Sequence, residues 1–302
     1  MPDVAGQLVV SKQLVVCFAV SRPLILFFAL AYLWSWTLWF AMSRVVPDSS
    51  VSGRLEILFE GFFALAAFGP TIAALITGWL AYRNLKVFTL STGWGNLIRG
   101  LVFGLGAFAF VTLIAALLAV SKGPFYAWHW SSLLHWSTYG INFSSLFGGP
   151  VNEEPGWRGF ALPRLQERYG AVKATLILAA LWAGWHTPLF WMQGWTSATP
   201  WELPLILLGI SFLFTAAANL SRFNVIVAIV LHAFFNTSSR LGNALTENLP
   251  ERPHEMVNYT LTVFACGTAI GIVALTACGK VKKQAERLPV DDPAASSINC
   301  AG

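Results

Sequence analysis

Long apolar runs separated by short polar stretches recur along most of this chain. Eight runs predict membrane-crossing helices, at 23–45, 58–82, 97–120, 139–152, 174–192, 203–220, 224–239 and 259–278. A helix needs about 20 mostly apolar residues to cross a bilayer, so the runs at 139–152 and 224–239 are short. The first of these becomes a reasonable crossing if its end is buried among other helices. The pattern predicts an all-α fold, a polytopic membrane helical bundle of about eight transmembrane helices.

The distribution of basic residues predicts the orientation of this bundle. Eight crossings place both termini on one side, and most of the 19 Lys and Arg residues fall there. They include Arg158 and Arg164, which follow the fourth run. Basic residues concentrate in cytoplasmic loops, so we expect a cell-membrane protein with both termini cytoplasmic. The domain division is an N-terminal cytoplasmic or interfacial segment at 1–22, the membrane domain at 23–279 and a polar, disordered tail at 280–302.

Composition supports a membrane protein and argues against a nucleic-acid-binding one. Hydrophobic residues make up 56% of the 302-residue chain and charged residues only 11%. A soluble domain carries about 25% charged residues, so this chain has too little polar surface to cover a water-facing globule. The net charge of +5 does not gather on one amphipathic element, and the partner it predicts is a lipid bilayer.

The fourth run ends in a pair of acidic residues, Glu153 and Glu154. Two neighbouring carboxylates are costly to ionise together in a medium of low dielectric constant. Arg158 lies four residues after Glu154 on the same helix face and can pair with it. Glu153 is then the unpaired carboxylate, able to act as a general base on water. A salt bridge at a helix end, with Glu153 in water, would explain the same residues.

Two later runs carry further polar groups. His186 lies in the apolar stretch LWAGWHTPLF, and His232 and Asn236 are four residues apart in LHAFFN. This spacing places the imidazole and the amide on one helix face, where both can donate to a developing oxyanion. A single membrane histidine is often only a packing residue. Because ionisable residues are rare and costly at membrane depth, three runs that carry them predict one shared polar pocket.

In this order, the three motifs resemble a known family. Glu-Glu-x-x-x-Arg runs from Glu153 to Arg158, aromatic-x-x-x-His from Trp182 to His186, and His-x-x-x-Asn ends at Asn236. Together they are similar to the CPBP family, which holds the type II CAAX prenyl endopeptidases and the bacterial Abi proteins. The resemblance covers residues 148–238. The second motif is usually written with Phe, and this chain has Trp182 in that place.

The resemblance implies an intramembrane endopeptidase of about eight helices whose site opens to the cytoplasm. Its substrate would be a membrane-anchored protein or peptide, and CAAX-type prenylated proteins are the family's best-known case. By motif position, Glu153 would activate the attacking water, aided by His186. His232 and Asn236 would stabilise the tetrahedral oxyanion.

The resemblance also assigns supporting roles and leaves the metal question open. Glu154 and Arg158 would hold the helix geometry. This mechanism requires no cofactor, although the family has also been called a metalloprotease family. If zinc were bound, Glu153, His186 and His232 would be its ligands. We favour this less, because the chain lacks the HExxH motif.

Two other functions fit the same residues. One is a membrane scaffold or immunity protein without enzymatic activity, which binds a partner and retains the polar pocket for structure. The other is a proton-coupled transporter, in which the buried Glu and His residues relay protons. The chain shows no internal repeat, which argues against the transporter.

Overall fold

The computed structural model describes residues 22–45, 54–120, 146–191, 198–245 and 252–277, and in these stretches the chain is mostly helical. The predicted all-α class is confirmed there, and only an isolated bridge joins Thr89 to Asn224. The helices are α1 (Pro23–Val45), α2 (Arg54–Ala67), α3 (Gly69–Tyr82), α4 (Trp94–Val120), α5 (Pro150–Glu154), α6 (Leu162–Trp185), α7 (Glu202–Leu220), α8 (Val225–Leu245) and α9 (Arg252–Ala277). A π-helical segment, Pro155–Ala161, joins α5 to α6, and a 3-10 turn, Thr187–Trp191, follows α6.

Several of these helices suit a membrane. Four are long and apolar enough to cross a bilayer, in α1, α4, α7 and α9, and the bent pair α2 and α3 would make a fifth crossing. The multi-pass architecture is therefore supported, whereas the number eight and the cytoplasmic placement of the termini stay predictions. The predicted ends at 1–21 and 280–302, and the first half of the short run at 139–152, lie outside the described residues.

The run at 58–82, predicted as one span, is two helices that meet at an angle of 41°. The break falls at Phe68, and Pro70 stands in the first turn of α3, where its missing N–H costs no helix hydrogen bond. A Cβ atom on Gly69 would lie only 2.7 Å from the carbonyl oxygen of Ala31 on α1. The bend thus lets α3 pack closely on α1.

At the centre of the described bundle lies α7. All but one of its residues from Ile206 to Ala218 are buried. It packs against α9, α6 and α4. Its one glycine, Gly209, permits this close packing, because a Cβ there would lie 2.8 Å from the carbonyl carbon of Val263 on α9. The polar residues of α5, α6 and α8 are arranged around this helix.

The stretch that follows the two glutamates is buried in the bundle, and its expected place on the cytoplasmic side of the membrane stays a prediction. The π segment continues the helix into the bundle, and Arg158 and Arg164 are 1% and 5% exposed. The glycines of the segment make this burial feasible, because a Cβ on Gly159 would lie 2.8 Å from Val225 Cγ2. The helix then kinks at Gly170, whose φ of 74° is in the left-handed region that favours glycine.

Candidate active site

The carboxylate of Glu153 lies inside the bundle, 4% exposed. Its Oε2 atom accepts a hydrogen bond of 2.7 Å from the indole N–H of Trp182 on α6. Among the described residues Glu153 has no ion pair, but one of its two oxygen atoms has a hydrogen-bond donor that the sequence analysis did not expect. The partner was missed because Trp182 was regarded only as an aromatic residue in a motif usually written with Phe.

The neighbouring carboxylate, Glu154, connects three segments of the chain. Its Oε1 atom lies 3.0 Å from Arg158 Nη1, as the i, i+4 spacing predicted. The same oxygen lies 2.7 Å from Nδ1 of His232 on α8, a contact that the sequence did not predict. An ionised carboxylate is only an acceptor, so this contact places a proton on Nδ1. Glu154 thus orients the His232 ring and also binds the arginine.

The guanidinium of Arg158 is enclosed by aromatic rings. Its Cζ atom lies 4.1 Å from the ring centroid of Trp182 and 4.6 Å from that of Phe214. Nη2 is 3.4 Å from the hydroxyl of Ser211 on α7. A buried charge requires a counter-ion and favourable contacts around it. Glu154 and the two ring faces supply both, which explains how a cation persists at this depth.

The imidazole of His186 is held by the backbone of its own helix. His186 is the residue at which α6 ends, and its Nδ1 lies 2.8 Å from the carbonyl oxygen of Trp182. A carbonyl oxygen can only accept, so Nδ1 carries the proton, and in the neutral ring Nε2 keeps the lone pair. The His186 ring contacts the Trp182 ring at a centroid distance of 5.7 Å. The Trp182 ring also contacts that of His232, at 5.6 Å.

A glycine leaves space where Glu153 and His232 approach each other. A Cβ atom on Gly149 would lie 3.1 Å from Glu153 Oε1 and 3.5 Å from His232 Nε2. Two atoms thus border the same space, Glu153 Oε1 and His232 Nε2. They are the atoms of these side chains that are not hydrogen-bonded to Trp182 or to Glu154. The predicted convergence of an acid and an imidazole from distant parts of the chain is therefore present in the structure.

Asn236 lies one helical turn after His232 on α8, and its side chain is partly exposed. Within the described part of the chain, its amide makes no hydrogen bond with another residue. The i, i+4 spacing keeps both residues on one helix face. The amide is thus close to His232 in position along the helix, and its predicted role in oxyanion binding stays a prediction.

The start of the glutamate helix is anchored by a residue that the motif does not include. Asn152 is fully buried, and its amide Nδ2 donates to the carbonyl oxygens of Ala64, at 3.0 Å, and Phe147. The hydroxyl of Thr71 donates to the carbonyl oxygen of Asn152 at 2.6 Å. These bonds tie α5 to the bent pair α2 and α3. A buried amide immediately before two glutamates was the signal in the sequence, because buried amides need partners.

The ionisable groups of the site can balance one another. In one arrangement, the positive charges of Arg158 and of an imidazolium at His232 balance the negative charges of Glu153 and Glu154. In the other, His232 is neutral and Glu153 carries the proton, so that Arg158 and Glu154 balance each other. Both arrangements leave these four side chains with no net charge, as a low-dielectric interior favours. They differ only in the position of one proton, on Glu153 or on Nε2 of His232.

The proposed zinc ligands do not form a ligand set in this geometry. Among the described residues, no three His, Cys, Asp or Glu side chains are grouped so that they could hold a metal ion. Nδ1 of His232 is engaged by Glu154 and Nδ1 of His186 by the Trp182 carbonyl.

Comparison with known proteins places this site in a family context. The family model described as Type II CAAX prenyl endopeptidase Rce1-like matches residues 134–238. The chain contains an Rce1-like segment. The resemblance inferred from the three motifs is confirmed, and all three lie inside the Rce1-like segment. The segment starts in the undescribed stretch before α5 and ends in α8.

A curated relative matches about the same amount of chain. The protein named CAAX prenyl protease 2 from Methanococcus maripaludis is 30% identical over 100 residues. The alignment covers 30% of this chain and 36% of that relative. The similarity thus concerns a part of both proteins, and the match spans about a third of the length of this relative.

Proposed function

We propose that this chain is an intramembrane endopeptidase that hydrolyses peptide bonds of membrane-associated substrates. The observation that carries the proposal is the space beside Gly149, which Glu153 Oε1 and His232 Nε2 both border. A base and a potential hydrogen-bond donor that border the same small space are what hydrolysis by an activated water needs. The Rce1-like segment supports the same reaction class.

In the proposed reaction, Glu153 takes a proton from a water molecule in this space. The water oxygen attacks the carbonyl carbon of the substrate, and the carbonyl oxygen becomes an oxyanion. When the tetrahedral intermediate collapses, the carbon–nitrogen bond breaks, and Glu153 returns the proton to the leaving amine. His186, whose Nδ1–H is held by the Trp182 carbonyl, offers Nε2 as a second acceptor for the water.

The oxyanion would be stabilised from α8. Nε2 of His232 is a donor when it carries the mobile proton of the site, and the Asn236 amide is a donor at all pH values. Hydrogen bonds aimed at the developing charge are often the largest single contribution to such catalysis. Glu154 and Arg158 would act indirectly, because they fix the His232 ring and neutralise each other.

The substrate is proposed only as a class. His232 lies on a short apolar helix, and Arg158 of the site contacts Ser211 and Phe214 on α7, which is apolar enough to cross a bilayer. A substrate anchored in the bilayer would therefore reach the site more readily than a soluble peptide. The name of the Methanococcus maripaludis relative extends the proposal to prenylated CAAX-type substrates. Reconstituted protein should therefore be tested with a panel of lipid-anchored and transmembrane peptides, prenylated and not prenylated.

The first experiment combines this assay with metal analysis. The purified protein is reconstituted in liposomes, and peptide products are identified by mass spectrometry with and without a chelator. We expect one new carboxyl terminus and one new amino terminus for each cleaved bond, with the rate unchanged by the chelator. Loss of cleavage in chelator, restored by one divalent metal, would replace the glutamate mechanism with metal-assisted hydrolysis. Absence of cleavage across the panel would end the proposal.

Replacing Gly149 with Ala should lower activity without unfolding the protein. The φ angle of Gly149 is 174°, outside the left-handed region that favours glycine. The added methyl group would stand 3.1 Å from Glu153 Oε1, which forces the carboxylate or the backbone to shift. Misplacement of a reacting group by a fraction of an ångström to about 1 Å can cost up to about a hundredfold in rate. The measurements are kcat/KM in liposomes and the thermal unfolding midpoint in detergent.

The matched control is Gly61→Ala in α2. A Cβ atom there would meet nothing within 4 Å, so both kcat/KM and the unfolding midpoint should stay near the wild-type values. If Gly149→Ala matches this control in activity, the space beside Gly149 is not where the reaction occurs.

A further inference from the structure

The two oxygen atoms of Glu153 have different environments. Oε2 accepts the Trp182 indole N–H at 2.7 Å, whereas Oε1 borders the space beside Gly149. The terminal torsion of a glutamate side chain is broad and roughly two-fold, so the rotamer alone does not hold the carboxylate plane. Among the described residues, this indole N–H is the one hydrogen-bond donor to the Glu153 carboxylate. The Trp182 N–H therefore selects which oxygen faces the space.

Resting on the proposed function, we infer that Trp182 is a positioning residue, whose indole N–H aims Glu153 Oε1 at the attacking water. Trp182 touches the carboxylate and acts through it. Its N–H is a charge-assisted donor when Glu153 is ionised, and such bonds are short and strong. At 2.7 Å, the observed bond is at the short end of the range for N–H donors.

The same residue carries other contacts that are independent of its N–H. Its backbone carbonyl accepts the His186 Nδ1–H at 2.8 Å. Its ring lies under the Arg158 guanidinium at 4.1 Å. A Phe side chain keeps the backbone carbonyl and an aromatic face but has no N–H. Trp182→Phe therefore removes the hydrogen bond to Glu153 and keeps the kinds of contact that hold His186 and Arg158.

The chain offers a matched control three residues later. Trp185 lies on the same helix and is likewise 1% exposed. Its indole nitrogen has no hydrogen-bond partner among the described residues. Trp185→Phe thus removes the same atoms from a similarly buried place, without the loss of a hydrogen bond. The difference between the two variants isolates the bond to Glu153.

The kinetic test compares kcat and KM of wild type, Trp182→Phe and Trp185→Phe in liposomes. We expect Trp182→Phe to lower kcat about ten- to hundredfold with KM within about threefold, since only the chemical step depends on the aim of Glu153. Trp185→Phe should keep kcat within about threefold of wild type. Equal effects of the two variants on kcat, or an effect of Trp182→Phe on KM alone, would overturn the inference.

A second measurement is independent of activity. Difference infrared spectroscopy of the full-length protein assigns the carboxyl band of Glu153 by its loss in Glu153→Gln. Trp182→Phe should shift this band, and Trp185→Phe should leave it in place. If the wild type cleaves no substrate, the proposed function fails, while the band still tests the hydrogen bond. An unshifted band in a folded Trp182→Phe protein would overturn the inference even if the protein is a protease.

Discussion

Glu153→Gln should abolish peptide-bond cleavage and leave the protein folded. The amide cannot take a proton from water, and general-base catalysis contributes roughly 10²- to 10⁴-fold. We therefore expect kcat to fall by about three orders of magnitude or more. Folding should survive, because the glutamine has the same shape and its carbonyl oxygen can still accept the Trp182 N–H. The measurements are kcat in liposomes and the thermal unfolding midpoint in detergent.

The control for this variant is Glu202→Gln at the start of α7. Glu202 is also buried, 2% exposed, and accepts the Thr199 backbone N–H at 2.7 Å, a bond that glutamine can keep. The Glu202→Gln variant should cleave the substrate at a rate near that of the wild type. Full activity of Glu153→Gln would end the assignment of Glu153 as the base. A biological phenotype that persists in the inactive variant would favour the scaffold or immunity protein.

Arg158→Ala should have the largest effect on stability. The substitution leaves the Glu154 carboxylate buried with His232 as its one remaining partner among the described residues. Removing one member of a buried ion pair typically costs about 3–5 kcal/mol, a large fraction of the roughly 5–15 kcal/mol that stabilises a folded protein. We expect a strongly reduced yield in membranes and a lower unfolding midpoint in detergent.

Two comparisons test the cause of this loss. Arg83→Ala removes an exposed arginine whose Cζ atom lies 5.7 Å from the ring centroid of Trp79. This variant should change the free energy of unfolding by less than about 0.5 kcal/mol. The double variant Glu154→Gln with Arg158→Met removes both buried charges and should recover much of the lost yield. If Arg158→Ala is as stable as Arg83→Ala, the buried pair does not hold the bundle together.

Of the contacts among the candidate site residues, the sequence indicated one within a helix and missed one between helices. The i, i+4 spacing of Glu154 and Arg158 sufficed for their ion pair, since helix geometry alone brings such residues together. The bond between Glu154 and His232 joins α5 to α8 across 78 positions in sequence. No local pattern encodes that distance, so a role for Glu154 in orienting His232 required the packed bundle.

Trp182 and Gly149 are two further residues whose contacts could not be predicted from the sequence. The sequence shows that Trp182 has an indole N–H, and a buried indole N–H usually needs a hydrogen-bond partner. The sequence does not show which residue that partner is. Gly149 carried no signal at all, because its importance lies in which atoms a side chain there would meet. Both depend on where three separate helices pass one another.

By itself, the sequence determined the all-helical membrane class, because a composition so apolar leaves few other ways to satisfy the backbone. It also determined which polar residues belong together, since each is costly to bury alone. The tertiary structure alone decided which oxygen of Glu153 is held and which borders the open space. It also decided that Arg158 is inside the bundle, between Glu154 and the rings of Trp182 and Phe214. Such choices depend on the packing of side chains from distant helices, and local periodicity contains no information about that packing.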